Sequence, residues 1–163
     1  MKPFDMKVDK MRYQTNSAGY LFVFLSLVFS IVALFTLINY DSFGEGLNPT
    51  RVVPDLRIGI EITIGIILML LTFLAAEKVK FYDPIWSYYG LFILAGINFL
   101  RIFNIPKYAF DKGWITESTK FWTSLELAVS ALLLIVAGII SVRKVYLLHN
   151  HMKAIDKHGN NAV

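Results

Sequence analysis

The stretch from Ile58 to Ala76, IGIEITIGIILMLLTFLAA, constrains this chain more than any other, because it joins the length of a bilayer crossing to an internal carboxylate, Glu61. Arg57 precedes it and Glu77-Lys78 follow. A helix rises ~1.5 Å per residue, so these nineteen residues reach about 28 Å, close to the ~30 Å hydrocarbon thickness of a membrane. A carboxylate is costly in lipid, so Glu61 is expected to face protein.

Three further runs have the same character. Residues 19–39, GYLFVFLSLVFSIVALFTLIN, are too long for a signal-peptide core and lack a small-residue cleavage pattern, so they read as a retained span. Residues 85–103 and 121–142 supply two more. What remains is short connectors and two tails, too little for a soluble catalytic domain. With 56% hydrophobic and 17% charged residues in 163, the composition fits one membrane domain. The predicted fold is all-α and polytopic: four transmembrane helices in an up-down bundle (spans 19–39, 58–76, 85–103 and 121–142), with both termini cytoplasmic.

Local signals set the expected boundaries. In the N-terminal tail, residues 1–18, Phe4, Val8 and Met11 recur at helical spacing beside Lys7, Lys10 and Arg12. That pattern fits an interfacial helix, although a polar leader that only sets orientation explains it as well. Tyr20 and Tyr40 stand at the ends of the first span, where amphipathic rings favour the interface. Gly44, Gly46, Pro49 and Pro54 break the long connector, and Asp55 is placed to cap the second helix. The turn EKVKFYDP is short, so helices two and three are expected to be antiparallel neighbours, with Asp83-Pro84 as cap and first helical residue of the third. Pro106 is expected just past the third helix, and Ser118 or Thr119 is expected to cap the fourth. The C-terminal tail, residues 143–163, should begin as helix, with Val145, Leu148, Met152 and Ile155 on one side.

Orientation follows from basic residues near the spans. Ten lie in the two tails and the second turn: Lys2, Lys7, Lys10, Arg12, Lys78, Lys80, Arg143, Lys144, Lys153 and Lys157. Six lie on the other side: Arg51, Arg57, Arg101, Lys107, Lys112 and Lys120. The expected location is a bacterial-type plasma membrane with both tails in the cytoplasm.

That topology brings three charges to one depth. Glu61, Arg101 and Glu126 each fall about 6 to 9 Å below the outer boundary at ~1.5 Å per residue. Groups at one depth in a four-helix bundle can meet across its core, and an arginine fork can hold one or both carboxylates. Asn98, one turn from Arg101, and Asn39 at the outer end of the first span are candidates to complete the hydrogen bonding. The competing reading pairs Glu61 with Arg57 at the interface and lets Arg101 reach outward to phosphates. Two acids with one guanidinium leave one formal negative charge, to be met by a proton, a cationic ligand or a basic residue of another subunit.

Helical periodicity turns both acids inward. At ~100° per residue, Glu61, Gly65, Thr72 and Ala76 fall within about 60°, and Glu126, Ser130, Ala137 and Ser141 repeat the same spacings. Small residues allow close backbone approach, so each stripe reads as a packing seam with a glutamate at its outer end. Ser87, Gly90, Asn98 and Arg101 form a comparable stripe on the third span. EITIGIIL at 61–68 also aligns with ELAVSALL at 126–133, the pattern of a repeated hairpin, although the connector lengths differ.

Other chemistry finds little footing. The chain has no cysteine, and its three histidines, His149, His151 and His158, all lie in the C-terminal tail. No metal site and no cofactor is expected. The net charge of +4 is accounted for by topology, so no nucleic-acid partner is expected. Gly44 and Gly46 lack the lysine of a phosphate-binding loop. The first functional expectation is a non-enzymatic accessory or regulatory subunit packing against a larger membrane complex such as a transporter. The lipid bilayer and a membrane-protein partner, or a second copy, are its expected contacts. The alternative is small-molecule or ion binding or transport, proton-linked, through an outward-facing Glu/Glu/Arg pocket. A membrane isomerase or lipid-modifying enzyme using the same acids is the third reading, since two acids and an arginine describe a structural ion pair equally well.

Overall fold

The structure, a computed structural model, describes residues 15–39, 56–113 and 115–159. Among the described residues four helices are long and apolar enough to cross a membrane. They are α1 (Ser17–Asn39), α2 (Leu56–Lys80), α3 (Leu91–Asp111), which continues from a π-helical turn at Trp86–Gly90, and α4 (Glu117–Gly159). The interfacial segment expected before residue 15, Tyr40, and the connector with Asp55 lie outside the described residues.

The start of α1 is fixed by Asn16, whose Oδ1 accepts the Gly19 N–H at 3.1 Å, the bond an N-cap makes to the third helical residue. The same residue ties three helices together. Its N–H donates to the Lys80 carbonyl at 2.9 Å, and its Nδ2 donates to Ser141 Oγ at 3.0 Å. A Cβ at residue 19 would lie 2.6 Å from Ser141 Oγ, so only glycine lets α1 come this close.

α2 ends in paired bonds from Asp83 N–H to the Lys78 carbonyl and from Tyr82 N–H to the Val79 carbonyl, each 3.1 Å. This closure requires a left-handed residue, usually glycine. Here it is the buried Tyr82, at φ +61°. Asp83 then accepts the N–H groups of Ile85 and Trp86 at 3.0 and 3.2 Å, the cap expected from Asp83-Pro84.

Two boundaries differ from the expected ones. α3 does not stop before Pro106 but carries it inside and runs to Asp111, where Gly113 at φ +70° closes the chain. A proline forfeits one ladder bond, which an otherwise well-packed helix tolerates. Residues 118 and 119 are already helical, and the cap of α4 is Thr116, whose Oγ1 accepts the Thr119 N–H at 3.3 Å. As expected of the tail, α4 continues unbroken past Arg143-Lys144 and has 43 residues in all, because loss of apolar character does not end a helix.

The packing inverts the pattern of a water-soluble bundle. Leu70, Leu100 and Phe103 are 66%, 68% and 65% exposed, while Glu61 and Asn98 are 5% and 2% exposed. Small residues fill the helix contacts. Ser26, Ser30 and Ala33 of α1 are buried, as are Ser130, Ala131, Ala137 and Ser141 of α4. An apolar core of Val23, Leu68, Ala75, Ala76, Val79, Leu91, Leu94, Ala95, Leu134 and Ala137 occupies the middle of the bundle and the end nearest Lys80. The ionisable groups lie beyond it.

Candidate functional site

Glu61 sits in the second turn of α2 and faces α3, because the apolar residues around it take the outer face. Its Oε1 accepts the Arg101 Nε–H at 2.8 Å, and the two side chains are only 6% and 11% exposed. Gly65, one turn on, makes room for that guanidinium. A Cβ there would lie 3.3 Å from Arg101 Nη2, tighter than most packed contacts.

From the arginine, hydrogen bonds run through the other two helices. Arg101 Nη1 donates to Asn98 Oδ1 at 3.3 Å, which directs the amide nitrogen toward Ser130 Oγ at 3.4 Å. Ser130 Oγ donates to the Ser26 carbonyl at 3.0 Å and lies 2.9 Å from Ser26 Oγ. A hydroxyl offers one proton and two lone pairs, so the Ser26 hydroxyl is the donor in the last bond and Ser130 is fully engaged. One chain of bonds, Glu61–Arg101–Asn98–Ser130–Ser26, therefore crosses α2, α3, α4 and α1.

The second acid is separate. Glu126 does not share the guanidinium of Arg101, so of the two arrangements open to the arginine fork, one carboxylate or both, the structure has the first. Its Oε1 accepts the Thr36 hydroxyl at 3.3 Å, and its Oε2 is buried with no hydrogen-bond partner among the described residues. Thr123 Oγ1, one turn earlier on α4, is likewise buried and unpaired. Equal depth does not fix azimuth: Glu126 turns toward α1, while Arg101 lies toward α2. The backbone of Asn39 closes α1, but its side chain lies outside the described residues.

The alternative pairing of Arg57 with Glu61 is also replaced. Arg57 Nη2 donates to Asn104 Oδ1, and its guanidinium stands 4.0 Å over the Tyr108 ring. Among the remaining seam residues, the Thr72 hydroxyl donates to the Leu68 carbonyl of its own helix at 2.8 Å. Ala76 and Ala137 join the apolar core, and Ser141 meets Asn16. Gly90 serves its own helix rather than a neighbour: a Cβ there would lie 2.5 Å from Trp86 Cε3, so the glycine seats that indole. Asn16, Ser26, Thr36 and Thr123 join the site from outside the expected set. The spacing of Ser26, Ser30 and Ala33 within an otherwise bulky run was the available signal for α1.

Among the described residues no three His, Cys, Asp or Glu side chains gather as metal ligands. The Glu61–Arg101 pair is neutral as a unit and its guanidinium bonds onward to Asn98, so it can hold helices together. Among the described residues the buried side-chain atoms without a hydrogen-bond partner are Glu126 Oε2, Thr123 Oγ1 and Ser87 Oγ, so the open acidic group is Glu126. No protein family, curated protein or solved structure matches this chain.

Proposed function

We propose that the chain is a non-enzymatic integral membrane protein that acts as a small accessory or regulatory subunit packing against a larger membrane complex such as a transporter. The observation that carries this reading is the inward closure of Glu61 and Arg101 by each other, beneath a surface of exposed Leu, Ile and Phe side chains. Polar groups that would otherwise form a ligand pocket are spent on joining helices, and what the bundle offers outward is apolar surface for lipid and for other helices.

The bundle runs up and down in this reading. The pairs Asn16–Ser141, Ser26–Ser130 and Thr36–Glu126 support α1 and α4 running in opposite senses, and the short turn at residues 81–83 supports the same for α2 and α3. The ten-to-six bias of basic residues supports cytoplasmic termini in a bacterial-type plasma membrane. The test is gentle detergent extraction of the tagged full chain, with mass analysis of co-purifying proteins. A stoichiometric membrane partner, lost from extracts of cells lacking this chain's tag, is expected. A chain that purifies alone or only as its own oligomer overturns the subunit reading.

Glu126 favours a second reading, proton-linked or cation binding on α4. Its unpartnered oxygen and the nearby Thr123 hydroxyl are groups a cation or a proton carrier would use. Glu126→Gln separates the two. Partner association unchanged with ligand uptake lost supports the binding reading, and an unaltered uptake profile removes it.

A further inference from the structure

An open groove of about 360 Å³ lies between the π-helical turn and α4, lined by Tyr88, Phe92, Ile139, Val142, Arg143 and Tyr146. Its floor depends on Gly138. A Cβ there would lie 2.8 Å from Phe92 Cζ, so the missing side chain lets the Phe92 ring rest on the backbone of α4. The lining surface is almost wholly apolar, and Arg143 contributes to it chiefly through its aliphatic stem. Its volume falls within the ~300–1,000 Å³ typical of small-molecule sites.

The guanidinium stands where the apolar span ends. Ser141, two residues before Arg143, bonds to Asn16, whose N–H bonds to the Lys80 carbonyl at the end of α2. Lys78, Lys80, Arg143 and Lys144 therefore gather at one end of the bundle. Among the described residues no carboxylate pairs with Arg143. The groove thus offers an apolar channel whose lining ends at Arg143, a residue with no carboxylate partner among the described residues.

We propose that this groove holds one anionic phospholipid, its acyl chain along Phe92, Ile139 and Val142 and its phosphate on Arg143. The proposal rests on the chain lying in a bilayer but not on its being a subunit. A guanidinium matches phosphate oxygens in a two-pronged fit, and basic residues beside a span attract anionic lipids. A zwitterionic lipid presents the same phosphate but adds a cation that Arg143 and Lys144 repel. The preference therefore falls on the anionic headgroup.

The experiment uses the purified full chain in mild detergent, titrated with phosphatidylglycerol or phosphatidylcholine and read by native mass spectrometry. One phosphatidylglycerol should remain bound, favoured over phosphatidylcholine by about fivefold, the effect of one well-placed basic residue. Arg143→Gln should remove the preference while leaving the acyl chain held. Ile139→Trp, which fills the groove, should release both lipids. Thermal unfolding of each variant checks that it is folded.

Equal retention of both lipids, unchanged in the two variants, overturns the site in favour of general lipid coating. Displacement of the lipid by millimolar inorganic phosphate overturns the acyl-chain requirement. A dimer lost in Ile139→Trp, with no lipid bound to the wild type, assigns the groove to a second copy instead. An alkaline wash of the source membranes keeps the readings apart. A chain left in the supernatant sinks the bilayer reading and this site together, whereas failed lipid retention with the chain in the pellet sinks the site alone.

Discussion

Glu61 and Glu126 open two stretches with the same spacing of small residues, yet the bundle treats them differently. Glu61 meets a guanidinium at 2.8 Å and begins a bonded chain through four helices. Glu126 holds one hydroxyl at 3.3 Å and keeps an oxygen unpaired. The difference lies in the neighbours. Gly65 opens space beside Glu61 for Arg101, while α4 presents its acid to Thr36 on a helix with no basic residue among its described positions. A repeated pattern within a helix sets which face turns inward and leaves open what stands across from it.

The largest expected effect breaks the closed side. Arg101→Gln leaves Glu61 buried without its counter-charge, and loss of one partner of a buried pair costs about 3–5 kcal/mol. Thermal unfolding of the purified chain in detergent should show a large fall in Tm, and the double variant Glu61→Leu/Arg101→Leu should recover much of it. If Arg101→Gln unfolds like the wild type, the pair does not hold the helices together.

The sequence revealed much of this arrangement, and its failures share a cause. Length and apolarity mark four helices long and apolar enough to cross a membrane, and a shared depth for Glu61 and Arg101 is compatible with their 2.8 Å contact, because rise per residue is nearly constant. It failed where rotation about the helix axis or local closure decides. Depth and an inward face leave open whether Glu126 meets Arg101 or Thr36, and the structure has Thr36. A proline reads as a stop because it forfeits one bond, yet the helix runs on through Pro106. Tyr82 replaces the glycine of a left-handed closure, and no local pattern signals such a substitution. Helix ends were drawn short because hydropathy marks where lipid contact stops, not where the backbone stops bonding.

A middle-sized effect tests how far the closed network extends. Ser130→Ala removes the hydroxyl that accepts from Asn98 and joins Ser26 of α1. Hydrogen bonds between membrane helices average about 0.6 kcal/mol, so the loss should be about 1–2 kcal/mol and should lower Tm measurably. The open side should respond less. Glu126→Gln replaces a half-satisfied carboxylate by a neutral isostere and should change stability by under about 1 kcal/mol, in the direction of a gain. A loss as large as that of Arg101→Gln would mean that both acids are structural, and the contrast between them would disappear.

The smallest effect is the most discriminating. A double-mutant cycle pairing Thr36→Val with Glu126→Gln should return about 0.6 kcal/mol or less, as expected for one long hydroxyl bond. The cycle pairing Arg101→Gln with Glu126→Gln should return less than about 0.5 kcal/mol, the additivity expected of groups with no shared partner. These two values separate alternatives that the single variants leave mixed, since a long-range field from Arg101 would act on Glu126 without a bond. A coupling between Arg101 and Glu126 exceeding that between Thr36 and Glu126 would merge the two acids into one electrostatic unit. The open carboxylate would then be tied to the closed pair, and the cation-binding reading of Glu126 would lose the separate acid on which it rests.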